Sequence, residues 1–101
     1  MGRLSESEIE AGLGSLAGWS RQGESIEGSW RFADFRSAFA FLVQVALLAE
    51  RADHHPEIWN VYDRVRLSLT THDAGGLTAR DFELAGQIDA LEGGRGVVIR
   101  G

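Results

Sequence analysis

From Ala38 to Ala49 every residue is apolar except Gln44, and no other stretch constrains the fold as strongly. Asp34 is placed to N-cap a helix running from Phe35 to about Arg51. Such a helix is apolar nearly all round, whereas a surface helix of a monomer carries a polar face. The apolar run is also shorter than the roughly 20 residues that cross a bilayer. The remaining arrangement puts one side of the helix on its own sheet and the other against a partner subunit. A chain of 101 residues has room for one domain and one core. Residues 1–92 read as that domain, and residues 93–101 as a C-terminal tail, loose or forming an extra edge strand.

The elements around the long helix follow from pattern and punctuation. Ser5 and Glu8 fit a capping box that opens a first helix to about Ala17, with Ile9, Leu13 and Leu16 on one face. Two short strands, Trp19 to Arg21 and Ile26 to Phe32, flank Gly23-Glu24. Gly28 interrupts the apolar series of the second. Pro56 disfavours helical geometry at His55, so the long helix ends before it. Val65, Leu67 and Leu69 alternate with Arg66, Ser68 and Thr70, the clearest strand signal in the chain. That strand, Arg64 to Thr71, pairs as a hairpin with Ile58 to Tyr62, because Tyr62-Asp63-Arg64 leaves room only for a tight turn. Thr78 caps a last helix to about Leu91, with Phe82, Ala85 and Ile88 or Asp89 marking successive turns. Helix, two strands, helix, two strands, helix predicts a two-layer α+β fold: a four-stranded antiparallel sheet with three helices on one face. Trp19, Trp30 and Phe39 are expected in the core.

Charge and missing residue types narrow the chemistry. The net charge is −5 and there is no basic run, which argues against nucleic acid as a partner. No segment has the length of a membrane span, and Met1 to Glu6 lacks an apolar signal core, so the expected compartment is the cytoplasm. The chain has no Cys, and all ten basic residues are Arg. Thiolate chemistry, cysteine-ligated zinc and a lysine Schiff base are therefore excluded. The groups left for proton transfer near neutral pH are three histidines, His54, His55 and His72.

These histidines fall at element ends, outside the expected core. Adjacent residues of an extended chain point to opposite sides, so His54 and His55 should do different jobs. Three imidazoles and a water form a known zinc arrangement, but adjacent ligands with opposed directions fit it poorly, and no metal is expected.

The string Asp53-His54-His55-Pro56-Glu57, then Asn60-Val61-Tyr62, then Leu69-Thr70-Thr71-His72-Asp73-Ala74-Gly75-Gly76-Leu77-Thr78, closely resembles the pterin-4a-carbinolamine dehydratases. Gly18-Trp19 and Phe32-Ala33-Asp34-Phe35 with Ala38-Phe39 match the same pattern upstream, and the likeness covers roughly Leu4 to Leu91. Ile58 departs from it, standing where relatives often have an aromatic. The resemblance implies the α+β fold above, assembled as homodimers or homotetramers, and no metal or organic cofactor. It implies dehydration of 4a-hydroxytetrahydrobiopterin to quinonoid dihydrobiopterin, which recycles the pterin of aromatic amino-acid hydroxylases. Animal members also act as dimerisation cofactors of a homeodomain transcription factor, so a protein-binding module of the same fold is the alternative.

The family's catalytic histidines carry over onto His54, His55 and His72. Its substrate contacts fall on Asp53, His54, His55, Thr70, Thr71, His72 and Asp73, of which Asp73 reads as a loop residue about as readily. Trp59 is the aromatic expected to touch the pocket. The reaction suits imidazole: one proton goes to the departing hydroxyl, another leaves a ring nitrogen, and a group titrating near pH 6.5 serves either role.

Overall fold

In the computed structural model, which describes residues 2–91, helix α1 (Glu6–Gly14) is followed by strands β1 (Trp19–Gln22) and β2 (Ser25–Arg31). Helix α2 (Phe35–Ala52), strands β3 (Glu57–Val61) and β4 (Arg64–Leu69), a 3-10 turn (His72–Ala74) and helix α3 (Ala79–Asp89) complete the order. The strands form one antiparallel sheet in the order β1-β2-β4-β3. This is the predicted α+β architecture. The tail expected over 93–101 lies outside the described residues. No described helix is long and apolar enough to cross a membrane.

One face of the sheet and the inner sides of the helices make the core. Ile26 and Trp30 of β2 and Val65, Leu67 and Leu69 of β4 are buried against Ala38, Phe41, Leu42 and Val45 of α2. Leu84, Ala85 and Ile88 of α3 and Ile9 of α1 close the layer. Trp19 and Trp30 meet edge to face with centroids 5.4 Å apart. A Cβ on Gly28 would stand 2.6 Å from the Trp30 ring and 3.2 Å from that of Trp19. The glycine that interrupts the apolar series of β2 thus leaves room for this aromatic pair.

Helix α2 begins where expected. Asp34 accepts from the Ser37 N–H at 2.8 Å, a bond that holds this carboxyl below the ordinary carboxylate range. Its apolar residues divide between two sides. Ala38, Phe41, Leu42, Val45 and Ala49 face the core, while Phe35, Phe39, Val43 and Leu47 remain 49–64% exposed. The four exposed residues recur every fourth position and so form one stripe. Phe39, expected in the core, belongs to this stripe because it is in phase with Phe35 and not with Phe41. Helix α1 stops at Gly14, short of Ala17: the Ser15 N–H turns back to the carbonyls of Gly12 and Leu13, where two glycines weaken the helix.

Candidate active site

Two chain reversals meet at one end of the sheet. Helix α2 ends at Ala52, and Asp53 takes the left-handed conformation with φ 51° and ψ 46°. The His54 N–H then reaches back to Ala49 O at 3.1 Å, a closing bond typical of left-handed helix caps. Aspartate tolerates that geometry better than most residues, and Pro56 keeps the chain extended beyond it. Strand β4 supplies the other reversal. After Leu69 the chain passes through Thr70 and Thr71 into the 3-10 turn, and Gly75 closes it at φ 74°. Thr71 and Gly76 exchange backbone hydrogen bonds of 3.1 and 3.3 Å, which pins the loop shut.

The reversals are tied by a buried polar network centred on Asp81, which is fully buried in the first turn of α3. One carboxylate oxygen lies 2.6 Å from His54 Nε2. The other accepts from Thr71 Oγ1 at 2.8 Å and from the Thr78 N–H at 2.9 Å. The bond to Thr78 is half of a capping box, so one side chain both starts α3 and holds the histidine. Arg80 adds a second tie, donating to the carbonyls of Ala52 at 3.3 Å and Asp53 at 2.5 Å.

His54 is therefore a buried side chain, 8% exposed, although it stands at the end of a helix and outside the expected core. Because a carboxylate only accepts, Nε2 is the protonated nitrogen of this bond, and a neutral His54 ring keeps its lone pair on Nδ1. His55, by contrast, is exposed and lies 2.7 Å from Glu50. The adjacent rings thus differ in burial and in partner. His72 opens the 3-10 turn and is exposed.

A shallow pocket of about 220 Å³ gathers Asp53, His54, His55, Thr70, Thr71, His72, Asp73 and Arg80. All seven residues expected at the site share it, joined by Arg80. Their side chains are not equally free. The hydroxyl of Thr71 is engaged by Thr78 and Asp81, and that of Thr70 donates to Glu24 O at 2.6 Å. Trp59, expected at the pocket, is not in its lining. Register places it opposite Arg66, on the sheet face away from the helices, where the Arg66 guanidinium lies 4.3 Å from its ring centre. Among the described residues, no group of three or more His, Asp or Glu side chains is arranged to hold a metal ion.

Sequence reasoning missed Asp81 and Arg80. The spacing Thr78-x-x-Asp81 is a capping-box signal that marks the acid as structural. Its bond to His54, twenty-seven residues away in sequence, exists only once α2 and α3 have packed.

Comparison with known proteins bears on the family and the fold. The family profile described as pterin 4 alpha carbinolamine dehydratase matches residues 2–91. A protein of Roseiflexus sp. (strain RS-1) named "Putative pterin-4-alpha-carbinolamine dehydratase" is 57% identical over 89 residues, covering 88% of this chain and 96% of its own. A relative of the same name from Chloroflexus aurantiacus (strain ATCC 29366 / DSM 635 / J-10-fl) is 53% identical, over 92% of this chain and all of its own. Among solved structures, a Brucella melitensis protein described as a transcriptional coactivator/pterin dehydratase superposes with a TM-score of 0.84 at 44% identity. That match covers 87% of this chain and 96% of the Brucella chain.

Proposed function

The chain belongs to the pterin 4 alpha carbinolamine dehydratase family, and from that membership we propose that it is a hydro-lyase acting on 4a-hydroxytetrahydrobiopterin. The products are quinonoid dihydrobiopterin and water, which returns the pterin to aromatic amino-acid hydroxylases. The observation that carries the reading is the meeting of His54, His55 and His72 around one pocket. A protein kept only for binding has no need of His54, His55 and His72 together.

In the proposed mechanism His54 and His72 move protons on opposite sides of the departing hydroxyl. His54 suits the base. Asp81 fixes its ring through Nε2, so a proton taken from the pterin ring nitrogen arrives at Nδ1, and the new positive charge faces a carboxylate. His72, exposed at the head of its turn, then delivers a proton to the 4a-hydroxyl as the C–O bond breaks. His55 orients the ring from the pocket's other wall. Carbinolamines collapse readily, so positioning and proton transfer suffice without a covalent intermediate.

The test is an ultraviolet absorbance assay of 4a-hydroxytetrahydropterin dehydration by purified protein, where a rate equal to the buffer control would refute the reading. In the same assay, protein dialysed against a strong chelator should match the undialysed rate. Loss of activity that returns with zinc would instead point to a metal on the histidines.

The exposed stripe of α2 supports a further part of the reading, a homodimer or homotetramer. Four large apolar side chains in a row form the kind of patch that marks an interface. At micromolar concentration, sedimentation equilibrium should show a mass above the monomer's. Leu47→Glu, at a 64% exposed position, should lower that mass while the circular dichroism of the subunit persists. A monomeric parent would sink the idea. A protein-binding role of the same stripe is the second reading, favoured by the coactivator half of the Brucella protein's description. It predicts an assembly role that survives loss of the histidines.

A further inference from the structure

The sheet face turned away from the helices carries an unusual arrangement of charge. Arg31 and Arg64 are direct cross-strand partners on β2 and β4. Arg66, two residues along β4 on the same face, stands between Ser29 and Trp59. Like charges directly opposite one another destabilise a sheet, and this chain is acidic overall, with a net charge of −5. One carboxylate answers the three guanidinium groups: Asp63 lies 3.5 Å from Arg31. Among the described residues neither Arg64 nor Arg66 forms an ion pair with a carboxylate. Ser29, Arg31, Trp59, Arg64 and Arg66 line one cleft of about 310 Å³, which shares no lining residue with the histidine pocket.

We propose that this cleft is a binding site for a phosphate monoester. Within the lining of this cleft the charged side chains are all guanidiniums, and Asp63 on Arg31 is their one ion pair, a local excess of positive charge that suits a dianion concentrated on one phosphorus centre. Guanidinium groups present planar, paired donors that fit phosphate oxygens, and the Ser29 hydroxyl adds a donor. Trp59, its ring stiffened by Arg66, supplies an apolar wall for the organic part of the ester. The rest of the face excludes a long polyanion. Glu27 and Glu57 flank Ser68 one step further along β4, so a nucleic-acid strand running along the sheet would meet carboxylates.

The test uses the intact protein and two probes, phenyl phosphate and inorganic phosphate, by isothermal titration calorimetry at low salt and pH 8. Phenyl phosphate should bind saturably, one per chain, and more tightly than inorganic phosphate. Arg64→Gln and Arg66→Gln should each weaken it about tenfold or more, the loss expected for a charge-assisted hydrogen bond. His72→Ala should bind phenyl phosphate as the parent does. Both arginines stand on the solvent face, and circular dichroism checks that their variants are folded. Binding unchanged in both arginine variants, or abolished by His72→Ala, would overturn the proposal. So would equal affinity for a dicarboxylate such as malonate, or tighter binding of a single-stranded oligonucleotide.

Discussion

The double variant His54→Ala, His72→Ala should dehydrate the carbinolamine at close to the uncatalysed rate. Removing a positioned acid or base costs typically 10²–10⁴-fold in rate. The loss here should lie near the lower end of that range, because the uncatalysed collapse is already easy. With both rings gone, neither proton transfer has a protein partner. His55→Ala should behave differently, raising the apparent substrate dissociation constant more than it lowers turnover, as befits an orienting ring. The structure changes how the experiment must be controlled. His54→Ala leaves one oxygen of buried Asp81 without its 2.6 Å partner, a cost of about 1–3 kcal/mol in stability. Circular dichroism and a thermal melt therefore come first. His72→Ala offers an independent route, since that side chain is exposed and outside the Asp81 network. A folded double variant as fast as the parent would refute the histidine mechanism, and so would an unimpaired His72→Ala.

Asp81→Ala should be among the most damaging single substitutions to stability, at about 3–5 kcal/mol, because each buried donor left without its acceptor costs about 1–3 kcal/mol. Three donors lose their acceptor together: the His54 ring, the Thr71 hydroxyl and the Thr78 N–H. The capping box of α3 is lost with them. Urea titration at a fixed protomer concentration should show a lower midpoint with a similar slope. The exposed Asp73, changed to Ala, should stay within about 0.5 kcal/mol of the parent. If Asp81→Ala moved the midpoint no further than Asp73→Ala, the network would not be what joins the helices to the site. Turnover should fall as well in whatever Asp81→Ala protein remains folded, because the ring of His54 loses the bond that orients it.

Much of this protein follows from short-range rules. The alternation of Val65, Leu67 and Leu69 fixes a strand and its inward face, because the pleat repeats every two residues. Ser5, Asp34 and Thr78 start the three helices, since a helix's first N–H groups need an acceptor wherever the helix lies. Pro56 and the neighbouring glycines bring the histidine segments to element ends. The resemblance in Asp53 to Glu57 and Leu69 to Thr78 supplied the candidate residues, which line one pocket.

What the tertiary structure decided is which of these side chains are free. Phe39 and Phe41 look alike in the sequence, yet one is half exposed and the other fully buried, because a difference of two positions turns a helical side chain by roughly 200°. Trp59 lies on the open face of the sheet and not in the histidine pocket, a matter of register with Arg66 that its neighbours in sequence do not specify. His54 stands at an element end, outside the expected core, but is buried on Asp81. That contact depends on how α2 and α3 pack, and a hydrogen bond between distant segments leaves no periodic trace in either. Local propensity and pattern act over a few residues and are written along the chain. Burial and partnership between segments arise only when those segments meet.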